Sequence, residues 1–314
     1  MIKRIVLVCG SIILLVVLIP FLGPYVGLAD YQSAAPRPGL LITLPNGDQI
    51  NVYREGSGPP VVLIHGLPGT GSMMLPLARA LVEHGYSTVS YDRIGWGYSS
   101  QRSEKIAANP TENARDFLRL LETLELQNPL VIGYSYGGGV ALEAARLDPN
   151  AFSNLVLVAS LGDNARRRDP PGRMERLLFS PSVLRWFLGT DFIATRLSEA
   201  GVATMFAPEA PDPAFLRETL ASMALPGVPE TMVRERMERY QGFAGYQPEA
   251  TRACTLIIHG IDDQIVSASG AEALSNAIAG SELRLLSDTG HAVVMTQPER
   301  LADMIAAHDR KCAS

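Results

Sequence analysis

Runs of four or five strand-forming residues recur at 61–64, 87–91, 130–134 and 155–159, and again at 255–258 and 283–286, with helical periodicity between them. Most of these runs are continuously apolar, which requires burial on both faces, so helices must cover the sheet on each side. Between the second and third runs, Ala114, Phe117, Leu118, Leu121 and Leu124 repeat at helical spacing after Thr111, predicting a crossover helix with Thr111 as its N-cap. Further helices are predicted over 271–279 and 298–307. The pattern reads as an α/β chain with a largely parallel sheet. Ahead of it, 40–44 and 49–54 flank Pro45-Asn46-Gly47-Asp48, where Asn-Gly suits a tight hairpin turn.

The rhythm stops between residues 161 and 250, where Met, Pro, Arg and aromatic residues collect, and this stretch is expected to be a mostly helical cap. The expected organisation is an N-terminal segment (1–23), a linker (24–39), a core (40–160 and 251–314) and the cap (161–250). Lys3-Arg4 precede an apolar run over 5–22 with no charged residue, which reads as a membrane anchor or a signal segment. The anchor is favoured, because Gly27-Leu28-Ala29 is only a passable cleavage site. Either way the positive pair places the remainder outside the cytoplasm. Of three cysteines, Cys9 lies in that run, leaving Cys254 and Cys312 able to pair in an oxidising compartment. A net charge of −5 opposes a phosphate backbone, so nucleic acid is not an expected partner.

Chemistry concentrates in four places. Gly133-Tyr134-Ser135-Tyr136-Gly137 joins an apolar strand to a glycine-rich helix start, a sharp turn that exposes a serine and needs small neighbours. Serine needs a base to take its proton, and His291, on the loop Asp288-Thr289-Gly290-His291-Ala292, is the expected one. The acid that orients this histidine should follow a strand. Asp263 is favoured, with Asp262 turned to solvent or capping the turn and Asp163 as the rival. His84, His259 and His308 are expected to be structural or solvent-facing. Two N–H donors are needed for an oxyanion; Tyr136 and Leu67, in His65-Gly66-Leu67-Pro68-Gly69, are the candidates. No metal or organic cofactor is expected, since the five histidines show no close pairing and no lysine follows Gly137-Gly138-Gly139.

These motifs, with Asp92-Arg93-Ile94-Gly95-Trp96-Gly97-Tyr98-Ser99, resemble the α/β-hydrolase superfamily over about residues 40–307. The resemblance implies an eight-stranded sheet, a helical cap after the sixth strand, and a loop-bracing role for Asp92. The loop at 65–69 is similar to that of epoxide hydrolases and haloalkane dehalogenases, which attack with aspartate; Ser135 points instead to an acyl-enzyme and a small-molecule ester. Cap residues Leu177, Leu178, Trp186, Phe187, Met205 and Phe206 suit an apolar acyl or aromatic ester, or pack the cap on itself. Arg166-Arg167-Arg168 reads as a solvated face. Alternatives are a cofactor-free perhydrolase, amide or carbon–carbon hydrolysis by the same residues, and a membrane-tethered binding protein that lost turnover.

Overall fold

The computed structural model describes residues 35, 37–161, 191–242 and 247–313. The N-terminal apolar run lies outside them, as do Asp163, Arg166 to Arg168, Leu177, Leu178, Trp186 and Phe187. Among the described residues no helix is long and apolar enough to cross a membrane.

Strands β1 (Leu40–Thr43), β2 (Gln49–Gly56), β3 (Pro60–Ile64), β4 (Ser87–Tyr91), β5 (Leu130–Tyr134), β6 (Asn154–Val158), β7 (Cys254–Gly260) and β8 (Glu282–Leu286) form one sheet, ordered β1-β2-β4-β3-β5-β6-β7-β8. The expected hairpin forms β1 and β2, and β2 runs antiparallel to β4; every later pairing is parallel. Alternate side chains of one strand enter different cores, as the two-residue period of a strand demands. Val62, Ile64, Val131, Leu155, Leu157 and Ile257 face helices α2 (Pro110–Thr123), α3 (Tyr136–Leu147) and α7 (Ala268–Ala277). Val61, Leu63, Ile132, Val156, Val158 and Ile258 face α1 (Leu75–Glu83) and α9 (Pro298–Cys312). Burial on both faces is therefore what the continuous apolar runs encode.

Three helix boundaries differ from the sequence reading. The N-cap of α2 is Asn109, whose side chain accepts from the Glu112 N–H, with Pro110 in the first turn; Thr111 instead donates its hydroxyl to Glu143. Asparagine before proline wins because the proline needs no N–H partner and the residue before it prefers extended backbone. Helix α9 continues to Cys312, and α7 begins at Ala268 behind a Ser267 cap.

Between β6 and β7, the described residues form three α-helices, α4 (Asp191–Phe206), α5 (Pro213–Met223) and α6 (Val228–Gly242), and one 3-10 turn (Pro248–Ala250). The α-helices lie over the C-terminal ends of the parallel strands, where ligands bind in sheets of this kind. The Met205 carbonyl accepts from the Ala292 N–H at 3.0 Å, and a Cβ on Gly290 would lie 1.8 Å from the Ala207 oxygen. Val202, Met205, Phe206 and Leu220 share a buried cluster with Met73 and Ala292, so these helices seal onto the core beside His291. A short helix, α8 (Val293–Thr296), follows at once.

Cys254, at the start of β7, is bonded to Cys312, at the end of α9, across 58 residues of sequence and a Cα separation of 6.1 Å. Closing a loop of that length stabilises a chain by about 2–4 kcal/mol, chiefly by restricting the unfolded state. Reductant should therefore lower the urea midpoint of the parent to that of a Cys254→Ser, Cys312→Ser double variant, which reductant should not move. A parent midpoint indifferent to reductant would contradict this account.

Candidate active site

Ser135 sits between β5 and α3 with φ 53° and ψ −117°, a backbone conformation that costs a non-glycine residue about 1–3 kcal/mol. Its surroundings hold it there. The Ser135 N–H donates to the Val158 carbonyl at 2.9 Å, while the Ser135 carbonyl accepts from Gly138 and Leu161. The glycines are there for space: a Cβ on Gly133 would lie 2.6 Å from the Gly138 Cα, and one on Gly137 would lie 2.2 Å from the Ile64 oxygen. The turn points the serine out of the sheet at the N-terminus of α3, where helical N–H groups favour negative charge.

The loops after β7 and β8 bring the other two residues to it. His291 Nδ1 lies 2.7 Å from Asp263 Oδ2, and His291 Nε2 lies 3.0 Å from Ser135 Oγ. An ionised carboxylate only accepts, so Nδ1 carries the proton and Nε2 turns its lone pair toward the serine hydroxyl. All three groups are nearly enclosed, with Ser135 5%, His291 3% and Asp263 9% exposed. Asp262 is exposed, as expected of the partner aspartate that does not face inward.

Asp263 is the best-supported acceptor in the site. Its Oδ1 takes the Ile265 and Val266 N–H groups, each at 2.8 Å, and its Oδ2 is also 3.3 Å from His259 Nε2. Burial alone would raise this carboxyl, but the two histidines and the Val266 N–H outweigh it and hold it below the usual carboxylate range. His259 donates to the Val266 carbonyl at 2.9 Å and is fully buried, a structural role as expected. Its contact with the acid was not foreseen from sequence. Tyr134, also unforeseen, donates its hydroxyl to the His291 carbonyl at 3.2 Å and braces the histidine loop from the strand that carries the serine.

Tyr136 follows the serine directly, and the loop that carries Leu67 runs beside it. Tyr136 is the first residue of α3, where an N–H has no acceptor within the helix. Leu67 follows Gly66, and a Cβ on Gly66 would sit only 3.0 Å from the Ser135 Cβ, so the loop after β3 runs directly against the serine. Asp92 braces the neighbouring loop, accepting from the Gly71 and Tyr98 N–H groups and from Asn51 Nδ2 at 2.7–2.9 Å; burial nonetheless pushes its carboxyl up to about 6. A crevice of only about 10 Å³ lies beside this loop, between Pro68, Met73 and Trp96 of the core and Ser222 and Met223 of α5.

A carboxyl whose pKa is lower in the folded than in the unfolded chain contributes stability above its unfolded value, and that contribution is lost as the pH falls toward the folded value. Asp263 should thus stabilise the chain at neutral pH, and that contribution should decline progressively as the pH falls below about 4. Asp263→Asn should be less stable at pH 7 and should lose less stability than the parent on acidification, read from urea midpoints between pH 7 and 3. Parallel pH profiles for the two proteins would refute the assignment of Asp263 as a paired, ionised group.

A model of the alpha/beta hydrolase family matches residues 61–304. A putative non-heme haloperoxidase of Mycobacterium phage D29 is 26% identical over 84% of the chain and 92% of its own length. The 2-hydroxymuconate semialdehyde hydrolase of Pseudomonas sp. CF600 is 26% identical over 82% of the chain and 89% of its own. Polyketide synthase ThaQ of Burkholderia thailandensis is 29% identical over 85% of the chain, which spans only 12% of that much larger protein. Among solved structures, an esterase from Exiguobacterium antarcticum aligns with a TM-score of 0.70 and 26% identity, covering 88% of this chain and all of the other. With the family pattern spanning both halves of the sheet and the loops at its C-terminal edge, the chain belongs to the alpha/beta hydrolase family.

Proposed function

We propose that the chain is a serine hydrolase that cleaves carboxylic esters through an acyl-enzyme. The observation that carries this reading is the aligned relay from Asp263 Oδ2 through His291 to Ser135 Oγ, with contacts of 2.7 and 3.0 Å. Ser135 attacks the ester carbonyl as His291 Nε2 takes its proton, and the N–H groups of Leu67 and Tyr136 receive the oxyanion. His291 then gives that proton to the leaving alkoxide. Water, deprotonated by His291, attacks the acyl-enzyme and releases the acid. Asp263 stays ionised throughout, stabilises the imidazolium and keeps its tautomer. This chemistry calls on neither a metal nor an organic cofactor.

A small-molecule ester with an apolar acyl or aromatic part is the substrate class we favour. The apolar cluster of Met73, Met205, Phe206 and Leu220 beside the two loops supports it. We further propose that residues 5–22 tether the chain with its hydrolase domain outside the cytoplasm. The Cys254–Cys312 bond supports that placement, because disulfides persist in oxidising compartments.

Turnover of a p-nitrophenyl ester panel, beside labelling by a fluorophosphonate, tests the reading. Ser135→Ala should abolish labelling, and Asp263→Asn should lower kcat on the order of 10⁴-fold because the histidine then adopts the wrong tautomer. A folded parent that neither labels nor turns over would favour a binding protein on this fold. Relatives named as haloperoxidases support a second reading, in which hydrogen peroxide intercepts the acyl-enzyme to give a peracid. Peracid formation exceeding hydrolysis at millimolar peroxide, and absent in Ser135→Ala, would establish it.

A further inference from the structure

Arg93, close after β4, is a buried cation with contacts to both the Gly66 carbonyl and the Tyr136 ring. It is 1% exposed. Its Nη2 donates to the Gly66 carbonyl at 3.0 Å, and its backbone N–H donates to His65 Nε2 at 3.0 Å. His65 Nε2 is therefore the lone-pair nitrogen, and Nδ1 donates to the same Gly66 oxygen at 2.9 Å. Burial, and then the nearby guanidinium, lower the His65 pKa well below its usual value, which keeps the ring neutral in this role. On its other side the guanidinium lies 4.6 Å from the centre of the Tyr136 ring. Its counter-charge comes from the cap: Arg93 Nη1 pairs with Glu235 Oε1 on α6, a fully buried carboxylate that also accepts from Asn113 Nδ2 at 2.9 Å.

The geometry of the peptide unit turns these contacts into a statement about Leu67. The Gly66 C=O and the Leu67 N–H belong to one planar unit, and in a trans peptide they point in opposite directions. Among the described residues the cis bonds are at Leu67-Pro68 and Ala207-Pro208, so the 66–67 unit is trans. Two donors that hold the Gly66 oxygen toward Arg93 therefore turn the Leu67 N–H the other way. The same cation rests on the ring of Tyr136, the residue with the second N–H.

We propose that Arg93 is a positioning residue for the oxyanion site, and that Glu235 completes it from the cap, so that the Leu67 and Tyr136 N–H groups are aligned only while α6 is docked. Arg93 is suited to this because its planar fork reaches Gly66, Tyr136 and Glu235 at once, which a lysine ammonium cannot. The cap cannot lift away from Arg93 without leaving a buried charge unpaired, which links cap docking to the reactive centre. A stabilising role explains the pair poorly: Arg93 Nε and Glu235 Oε2 are buried without hydrogen-bond partners among the described residues, and such a pair rarely outperforms apolar side chains of similar volume. This inference rests on the serine-hydrolase reading.

The test compares the full chain with Arg93→Lys, Arg93→Met and the double variant Arg93→Met, Glu235→Leu. Each is measured for thermal midpoint, fluorophosphonate labelling rate, and kcat and KM on the best p-nitrophenyl ester. Arg93→Met alone should be destabilised by the stranded carboxylate. The double variant should regain the parent's midpoint, yet label about 10- to 100-fold more slowly, with kcat reduced by a similar factor and KM nearly unchanged, because a single oxyanion donor is worth about 10²–10³-fold. Arg93→Lys keeps the charge opposite Glu235, so it remains informative if the double variant fails to fold; it too should label at least about 10-fold more slowly. Parent-like labelling in a folded double variant, or in Arg93→Lys, would overturn the proposal and leave the pair as a structural contact. A parent that labels but hydrolyses none of the esters removes only the ester substrate, since the labelling ratios still apply. A parent that does not label refutes both readings.

Discussion

The left-handed backbone at Ser135 is the constraint from which the rest of the site follows. A serine in that conformation survives only where neighbouring chain segments dictate it, and here β3, β6 and the start of α3 all press on the same turn. The carbonyl of Ile64 occupies the space a side chain at 137 would need, and the Val158 carbonyl takes the serine's own N–H. The strain also has a use, since it turns the hydroxyl out of the sheet toward the loops after β7 and β8.

The polar groups around the serine are arranged so that each holds the next. Asp263 is fixed by two backbone N–H groups and two histidines, His291 is fixed by Asp263 and by the Tyr134 hydroxyl on its carbonyl, and the serine receives the remaining nitrogen. His65 and Arg93 do the equivalent for the loop on the opposite side, closing on the Gly66 carbonyl. Such networks specify a unique arrangement only when their donors and acceptors are matched, and here the reactive residues are the matched ones. The unmatched atoms, Arg93 Nε and Glu235 Oε2, lie where the cap meets the core.

The cap is more than a cover. Trp96, Leu225 and Val228 share a buried cluster that Leu67 packs against, so the helices between β6 and β7 also touch the loop after β3. Gly95 has a positive φ, and a Cβ there would lie 2.6 Å from the Thr231 side chain, so α6 can seat against this loop only over a glycine. These helices and the loops after β3 and β4 therefore share one packing surface, in which a change on either side is felt by the other.

Much of the fold was legible in the sequence because its signals are local. Continuous apolar runs specify strands buried on both faces, Asn46-Gly47 specifies the hairpin, and the spacing of Gly133, Ser135 and Gly137 specifies a turn that no other common element needs. Helix ends were less legible: Thr111 and Asn109 are both competent caps, and Pro110 decided between them. Asp263 and Asp262 could not be told apart by composition, only by the position that follows β7. What the tertiary structure alone decided are the contacts made across long stretches of chain. Ser135 meets His291 across 156 residues, and Arg93 meets Glu235 across 142. Periodicity and turn preference reach only a few residues along the backbone, whereas these meetings depend on strand order and on how the cap settles onto the loops at the sheet's edge.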